Sequence, residues 1–475
     1  MPPYRRCIVL LADGTRPDIF AELLEAGQLP AIRDHLVVPG TSTCAVTAFP
    51  STTGPAYLPI LTGRFPGPAD LPGIRWLDRR LYDRRGVLAL DSCRSYVGPA
   101  GFLMDRDFRA DATLFDCFDR PASIFNPIRR GAGFSGNRSK LLHGPTYLYA
   151  HCTDRWDRAD RVAAWLLERA LHRDPDLLFA VFPGADEYGH LISPRAPEAI
   201  AAYRRLDRAV GATADQLRRS GRLDDTLFII VSDHGLTPTH THFDPIPFLE
   251  ERGFRPLYYP WIIRRRADSA CMVSGNGMAH LYFFHPDHPS PELMHQLVTS
   301  PAIHFVAHRH HPDGVRVIGP DGEATIRQIG EQIEYHPEGT DPLGCGDLPA
   351  LATPDEILAH TFATDCPDGP VQLLQLFQSS RCGDLILSAH PGFDLRDRHE
   401  HPEHRGSHGS LHREHMHVPL LINHPLDPAR PARTVDLFPT ILQLTGRPVP
   451  GGLPGRPLAA TDADRPPRPF AKKQV

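Results

Sequence analysis

Cys7-Ile8-Val9-Leu10-Leu11-Ala12 runs without a polar interruption into Asp13 and Gly14. A run this short and this uniformly apolar reads as a strand buried on both faces, as in a parallel sheet covered by helices. The pattern returns twice. Leu177 to Phe182 leads to Asp186, with His190 four residues on, and Leu227 to Val231 delivers Asp233 and His234. In open α/β sheets, ligands bind outside the carboxyl ends of the strands. Three carboxylates and two imidazoles therefore fall along one rim, and all are ligand types for a borderline divalent cation.

Working outward, Gly14-Thr15-Arg16-Pro17-Asp18 turns into a helix with Ile19, Leu23 and Leu24 on its apolar side. Helices are predicted over 154–172, 197–217 and 435–444 by apolar residues three and four apart. Further strands are predicted at Asp384 to Ala389 and Val418 to Ile422. The expectation is an α/β fold with a mostly parallel central sheet and helices on both faces. A single catalytic domain, 1–460, would be assembled from core segments 1–64, 154–242 and 382–460. The irregular stretches 65–153 and 243–381 read as insertions capping the rim, and 461–475 as a flexible tail.

Composition removes several function classes. The 475 residues carry a formal net charge of −5 with mixed signs, so no basic field would attract a nucleic-acid polymer or an anionic membrane. No window approaches the roughly 20 apolar residues that span a bilayer. Met1-Pro2-Pro3-Tyr4-Arg5-Arg6 enters the first strand directly, which leaves no room for a cleavable signal peptide. Nine scattered cysteines without a C-x-x-C pair read as reduced thiols, and a cytoplasmic location is expected.

Five motifs occur in order: Asp13-Gly14-x-Arg16-Pro17-Asp18; Pro50-x-x-Thr53-x-Pro55 with Leu61-Thr62-Gly63; Asp186-x-x-Gly189-His190; Ser232-Asp233-His234-Gly235; and Gly406-x-His408-Gly409. Together they resemble the alkaline phosphatase superfamily, most closely its type I phosphodiesterase and nucleotide pyrophosphatase branch. The resemblance implies one metal held by Asp186, His190 and His408. It implies a second held by Asp13, Asp233 and His234, with the Thr53 hydroxyl as ligand and nucleophile. Thr53 is chosen over Ser51 and Thr52 by its spacing to Pro50 and Pro55, and it would sit where a helix N-cap sits. Carboxylate and imidazole sets suit zinc, with manganese as the other candidate. Metal coordination activates a hydroxyl that is otherwise a weak nucleophile, and a phospho-threonine would then be hydrolysed by water.

The activity implied is cleavage of a phosphodiester or pyrophosphate bond in a small nucleotide-like metabolite. The alternatives are a phosphomonoesterase or phosphonate hydrolase of the same superfamily and, from another class, a non-catalytic metal-stabilised binding protein. The branch usually carries Asn-His after the second proline, whereas this chain has Ala56-Tyr57, so an amide donor to the phosphoryl group is missing. The sulfatase signature is absent at the nucleophile. Nine of the 27 histidines lie between His390 and His424. Of these only His408 matches a ligand position; His399, His401, His404, His412, His415 and His417 receive no role, and His240 and His242 read as outer-layer or surface groups.

Overall fold

The computed structural model describes residues 3–86, 89–285, 287–311, 313–396, 403–427 and 429–459. The expected tail, 461–475, and His399 and His401 lie outside the described residues. The three apolar runs form strands Arg6–Ala12, Leu177–Phe182 and Thr226–Val231, with the first lying between the other two and parallel to both. The run from Ile8 to Leu11 is at most 3 % exposed. Burying each such side chain contributes about 1.5–3 kcal/mol relative to leaving it in water, so these strands cannot face solvent.

The sheet holds seven strands among the described residues, in the order Ala432–Arg433, Thr41–Val46, His417–Ile422, Thr226–Val231, Arg6–Ala12, Leu177–Phe182, Pro121–Ile124. Only His417–Ile422 runs antiparallel to its neighbours, so the sheet is mostly parallel as expected. Helices cover both faces. Trp156–Leu171, Gly184–Leu191 and Pro197–Arg219 pack on one another, and Leu58–Thr62 packs with Leu437–Leu444. Pro197–Arg219 shows why these helices form. It starts on a proline, buries Ala199, Ala202, Tyr203, Leu206, Val210 and Leu217 on one stripe, and ends on Arg218 and Arg219.

Two expectations about strands need correction. The expected strand at 384–389 forms as Leu385–Ala389, but it lies in a second sheet, nine-stranded among the described residues, antiparallel to both Met278–Phe283 and Ile303–Arg309. It is buried throughout, and a uniformly apolar run reports burial rather than which sheet it joins. Conversely, Pro121–Ile124, inside the stretch read as irregular insertion, completes the edge of the central sheet. Its sequence, Pro-Ala-Ser-Ile, is too short and too mixed to show a period. Thr41–Val46 went unread because its first half, Thr-Ser-Thr, is solvent-facing.

Candidate metal centre

The parallel register brings the strand ends to one level, pairing Ala12 with Phe182 and Leu11 with Val231. Asp13 leaves the sheet with its N–H donating to the Phe182 carbonyl at 3.1 Å. Gly14 has φ +64°, and a Cβ there would lie 2.6 Å from the Asp186 Cβ. Only glycine lets the first strand's exit pass so close to the second's. Ser232 ties the third strand in, accepting from the Thr15 N–H at 3.1 Å and donating to the His234 carbonyl at 2.8 Å.

Asp186 and His190 lie in the first and last turns of Gly184–Leu191, four residues apart on one face, with His190 Nε2 3.4 Å from Asp186 Oδ2. All three motif histidines meet a backbone carbonyl through Nδ1: His190 with Gly406 at 2.7 Å, His234 with Gly235 at 3.1 Å and His408 with Ser51 at 2.9 Å. A carbonyl only accepts, so each Nδ1 carries a proton, and in the neutral ring each Nε2 keeps its lone pair. That is the tautomer of a metal ligand.

Two tight groups result, each with ligand atoms within 4.8 Å of one another: Asp13, Asp233 and His234, and Asp186, His234 and His408. All five residues are buried. The partition differs in detail from the one implied by resemblance. His234 stands between the groups, its ring 3.6 Å from that of His408, while His190 approaches the second group through Asp186.

The electrostatics fit a cation. Burial, then the charges of Asp233 and Asp186, raises the Asp13 pKa well above the ordinary carboxylate range. Burial and Asp186 likewise raise Asp233, against the pull of His234. Burial would raise Asp186 too, but His190, His234 and His408 outweigh it and hold that carboxyl low. Burial would lower His190, yet the Asp186 carboxylate raises it to about 9. Asp186 Oδ1 and Asp233 Oδ2 are buried without a hydrogen-bond partner. Buried carboxylates crowded without donors are costly unless positive charge is supplied, and three oriented imidazoles beside them complete a donor set for divalent metal.

Thr53 Oγ1 lies 3.1 Å from His234 Nε2 and 3.4 Å from Asp13 Oδ1. It is half-buried, whereas Ser51 and Thr52 are fully buried. Ser51 and Thr15 donate to the Ser410 and Ala12 carbonyls. Thr53 is thus the hydroxyl that both faces the donor set and is reachable from outside. It does not cap a helix, contrary to expectation. Gly54 precedes the short Pro55–Tyr57 turn, no side chain caps it, and the Ala56 and Tyr57 N–H groups donate to the Thr52 and Gly54 carbonyls.

Sequence reasoning missed Tyr57. At the position next to the absent amide, its buried hydroxyl donates to Asp13 Oδ2 at 2.9 Å and so orients that carboxylate. Its spacing, four residues after Thr53 on a short helix, was the available signal. Asn276 and His404 were missed as well; Asn276 Nδ2 lies 3.2 Å from His404 Nδ1, and the His404 ring is 4.4 Å from that of His190. The other described histidines singled out in the sequence have protein partners. His415 bridges Ser410 and Thr237, His412 caps Arg413–Met416, His417 meets the Phe362 carbonyl, and His242 joins Asp394 to Glu403. His240 is exposed beside Thr241.

The family model of type I phosphodiesterase / nucleotide pyrophosphatase matches residues 7–411. The chain belongs to this family, a branch of the alkaline phosphatase superfamily. Among curated relatives, human ectonucleotide pyrophosphatase/phosphodiesterase family member 7 is 34% identical over 122 residues, 25% of either chain. An uncharacterized pyrophosphatase/phosphodiesterase of Schizosaccharomyces pombe is 25% identical over 239 residues, 49% of this chain and 45% of that one. The matches thus span less than half the length of these relatives. Two solved structures share the fold at TM-score 0.55, each covering 94% of this chain and 96% of its own: phosphonoacetate hydrolase from Sinorhizobium meliloti 1021 with phosphonoacetate, 17% identical, and murine ectonucleotide pyrophosphatase/phosphodiesterase 5, 14% identical.

Proposed function

We propose that the protein hydrolyses phosphodiester or pyrophosphate bonds of small nucleotide-like metabolites through a phospho-threonine at Thr53. The observation that carries this reading is a reachable Thr53 hydroxyl set against both Asp13 and His234, the latter shared by the two buried donor groups. Asp13, Asp233 and His234, with Thr53, would hold one divalent ion; Asp186, His190 and His408 would hold another, zinc by donor chemistry with manganese as the alternative. When bound, such ions lower the pKa of a hydroxyl and offset charge on the attacking and leaving oxygens of an in-line displacement. Thr53 Oγ, its proton passing to solvent, attacks phosphorus as the bond to the leaving oxygen breaks; water then attacks the phosphorus held on Thr53, releasing the remaining phosphate monoester and restoring the hydroxyl. Tyr57 keeps Asp13 in one orientation, and the Nδ1 contacts of the three histidines keep their Nε2 atoms facing inward. Nine unpaired cysteines support a cytoplasmic setting.

Phosphonate or phosphomonoester hydrolysis is the second reading. Ala56 supports it, because the branch's amide donor to the phosphoryl group is absent and buried alanine offers no replacement. The test is turnover of bis-(p-nitrophenyl) phosphate, p-nitrophenyl phosphate, AMP and phosphonoacetate by protein reconstituted with zinc or manganese. The diester is expected to be the fastest. A phosphonate or monoester turned over faster than any diester would overturn the first reading in favour of the second.

A further inference from the structure

His404 packs on His190 at the rim and belongs to neither donor group. Its placement is tightly determined. The next residue, Arg405, donates its N–H to the His190 carbonyl at 2.7 Å, and Gly406 carries the carbonyl that receives His190 Nδ1. A Cβ on Gly406 would lie 2.5 Å from the Gly189 carbonyl oxygen, so the segment is pressed against the His190 helix. On the other side, Asn276 pairs by a backbone bridge with His408 and reaches His404 Nδ1 at 3.2 Å. The contact atom is Nδ2, so the NH₂ end of the amide faces the ring. His404 Nδ1 is therefore an acceptor, and in a neutral ring the proton sits on Nε2 as a donor. The ring packs on His190, the partner of Asp186, whereas Thr53 contacts Asp13 and His234, and it is half-buried and so open to a ligand.

In an in-line displacement the leaving oxygen lies opposite the attacking one. We propose that His404 contacts substrate, donating an Nε2–H hydrogen bond to the leaving-group oxygen on the side of phosphorus away from Thr53. This rests on the hydrolysis proposed above. The bond from Thr53 Oγ to phosphorus forms, the hydroxyl proton passing to solvent, as the bond from phosphorus to the leaving oxygen breaks. The leaving oxygen departs with the electron pair, steadied by the hydrogen bond, and takes its proton from water while His404 keeps its own. The contact supplies from the histidine-rich segment a polar hold on the reacting group that the chain lacks at Ala56.

The test uses the full-length, metal-reconstituted protein with phosphodiesters whose leaving phenols range from p-nitrophenol to unsubstituted phenol. His404→Ala is expected to slow phenol release roughly tenfold more than p-nitrophenol release, because a donor matters most where charge on the leaving oxygen is greatest. His404→Gln, which retains an N–H donor, should recover much of the difference. Metal content should equal that of the unaltered protein in both variants. In metal-free protein, imidazole nitrogen NMR should show His404 Nδ1 unprotonated, and Asn276→Ala should disturb that signal. An equal loss for every leaving group, the loss of one metal equivalent, or a protonated Nδ1 would each overturn the assignment. Failure of the underlying activity would show in the unaltered protein, whereas failure of the His404 assignment would leave that protein active.

Discussion

The two large sheets contribute to the centre in different ways. The parallel sheet ends in ligands: Asp13, Asp186, Asp233 and His234 all follow its strands at one level. The antiparallel sheet contributes a turn, Ser274 to Gly277, between strands Ser269–Ser274 and Met278–Phe283. In that turn Gly275, at φ +67°, abuts Thr52, and Asn276 holds His404. One sheet supplies the chemical groups, and the other sets the shape of the wall they face. A parallel sheet does the first task well because every strand exits in the same direction. A hairpin turn does the second well because its backbone can approach a loop closely where glycine allows it.

Perturbing each side separately tests that division. Thr53→Ala should cut kcat on the order of 10³-fold or more while leaving metal content unchanged; near-full turnover in a variant with normal metal content would remove Thr53 from the chemistry. Asp233→Asn should lower activity on the order of 10²-fold together with measurable metal loss, seen by elemental analysis. Retention of both metal equivalents in that variant would take Asp233 out of the ligand set. Tyr57→Phe removes only the hydroxyl on Asp13 and should weaken metal affinity about 10–100-fold, the range for partners that orient a ligand. An unchanged metal titration would mean that Asp13 is held by its strand alone.

On the antiparallel side, Gly275→Ala adds a Cβ 2.9 Å from Thr52 Oγ1 and strains a left-handed backbone. It should lower kcat/KM about tenfold or less with no loss of metal, because it displaces the nucleophile loop and leaves the carboxylate and imidazole ligands in place. Metal loss in this variant would erase the distinction between the two sheets.

The smallest expected effect is on stability against pH. In metal-free protein Asp13, Asp233 and His190 have folded pKa values above their unfolded ones. Their contributions are therefore full below the unfolded values and are lost as pH rises, through about 9 for His190. Asp186 is shifted the opposite way, and its contribution is constant over neutral pH. Chelator-treated protein should then lose a few degrees of Tm, on the order of 2–4 °C, between pH 6 and pH 9. Metal-loaded protein should not, since protons no longer compete for the ligands. Parallel Tm curves with and without chelator would show that no metal binds there.

The parallel strands, their helices and the ordered motifs were legible because short apolar runs and strand-end acids are local signals. The second sheet was not. Leu385–Ala389 looks the same whichever sheet buries it, and Gly322–Ile329 and Gln332–Gly339 are half-exposed hairpin strands whose pairing is a relation between segments. Tyr57 and His404 were invisible as functional residues for a related reason. A tyrosine one turn after Thr53, or one histidine among nine, carries no mark of its partner.

By itself, then, the amino-acid sequence determined which residue types could gather at a rim: carboxylates and imidazoles placed just beyond runs that must be buried. Only the tertiary structure decided which atoms face one another: His234 between the two donor groups, Thr53 rather than its neighbouring hydroxyls turned toward them, and Asn276 reaching His404 across 128 positions. The physical reason is range. Burial preference is a property of each short segment, whereas a hydrogen bond of about 3 Å requires two distant segments to be placed to within a fraction of an ångström, which only the packed whole can do.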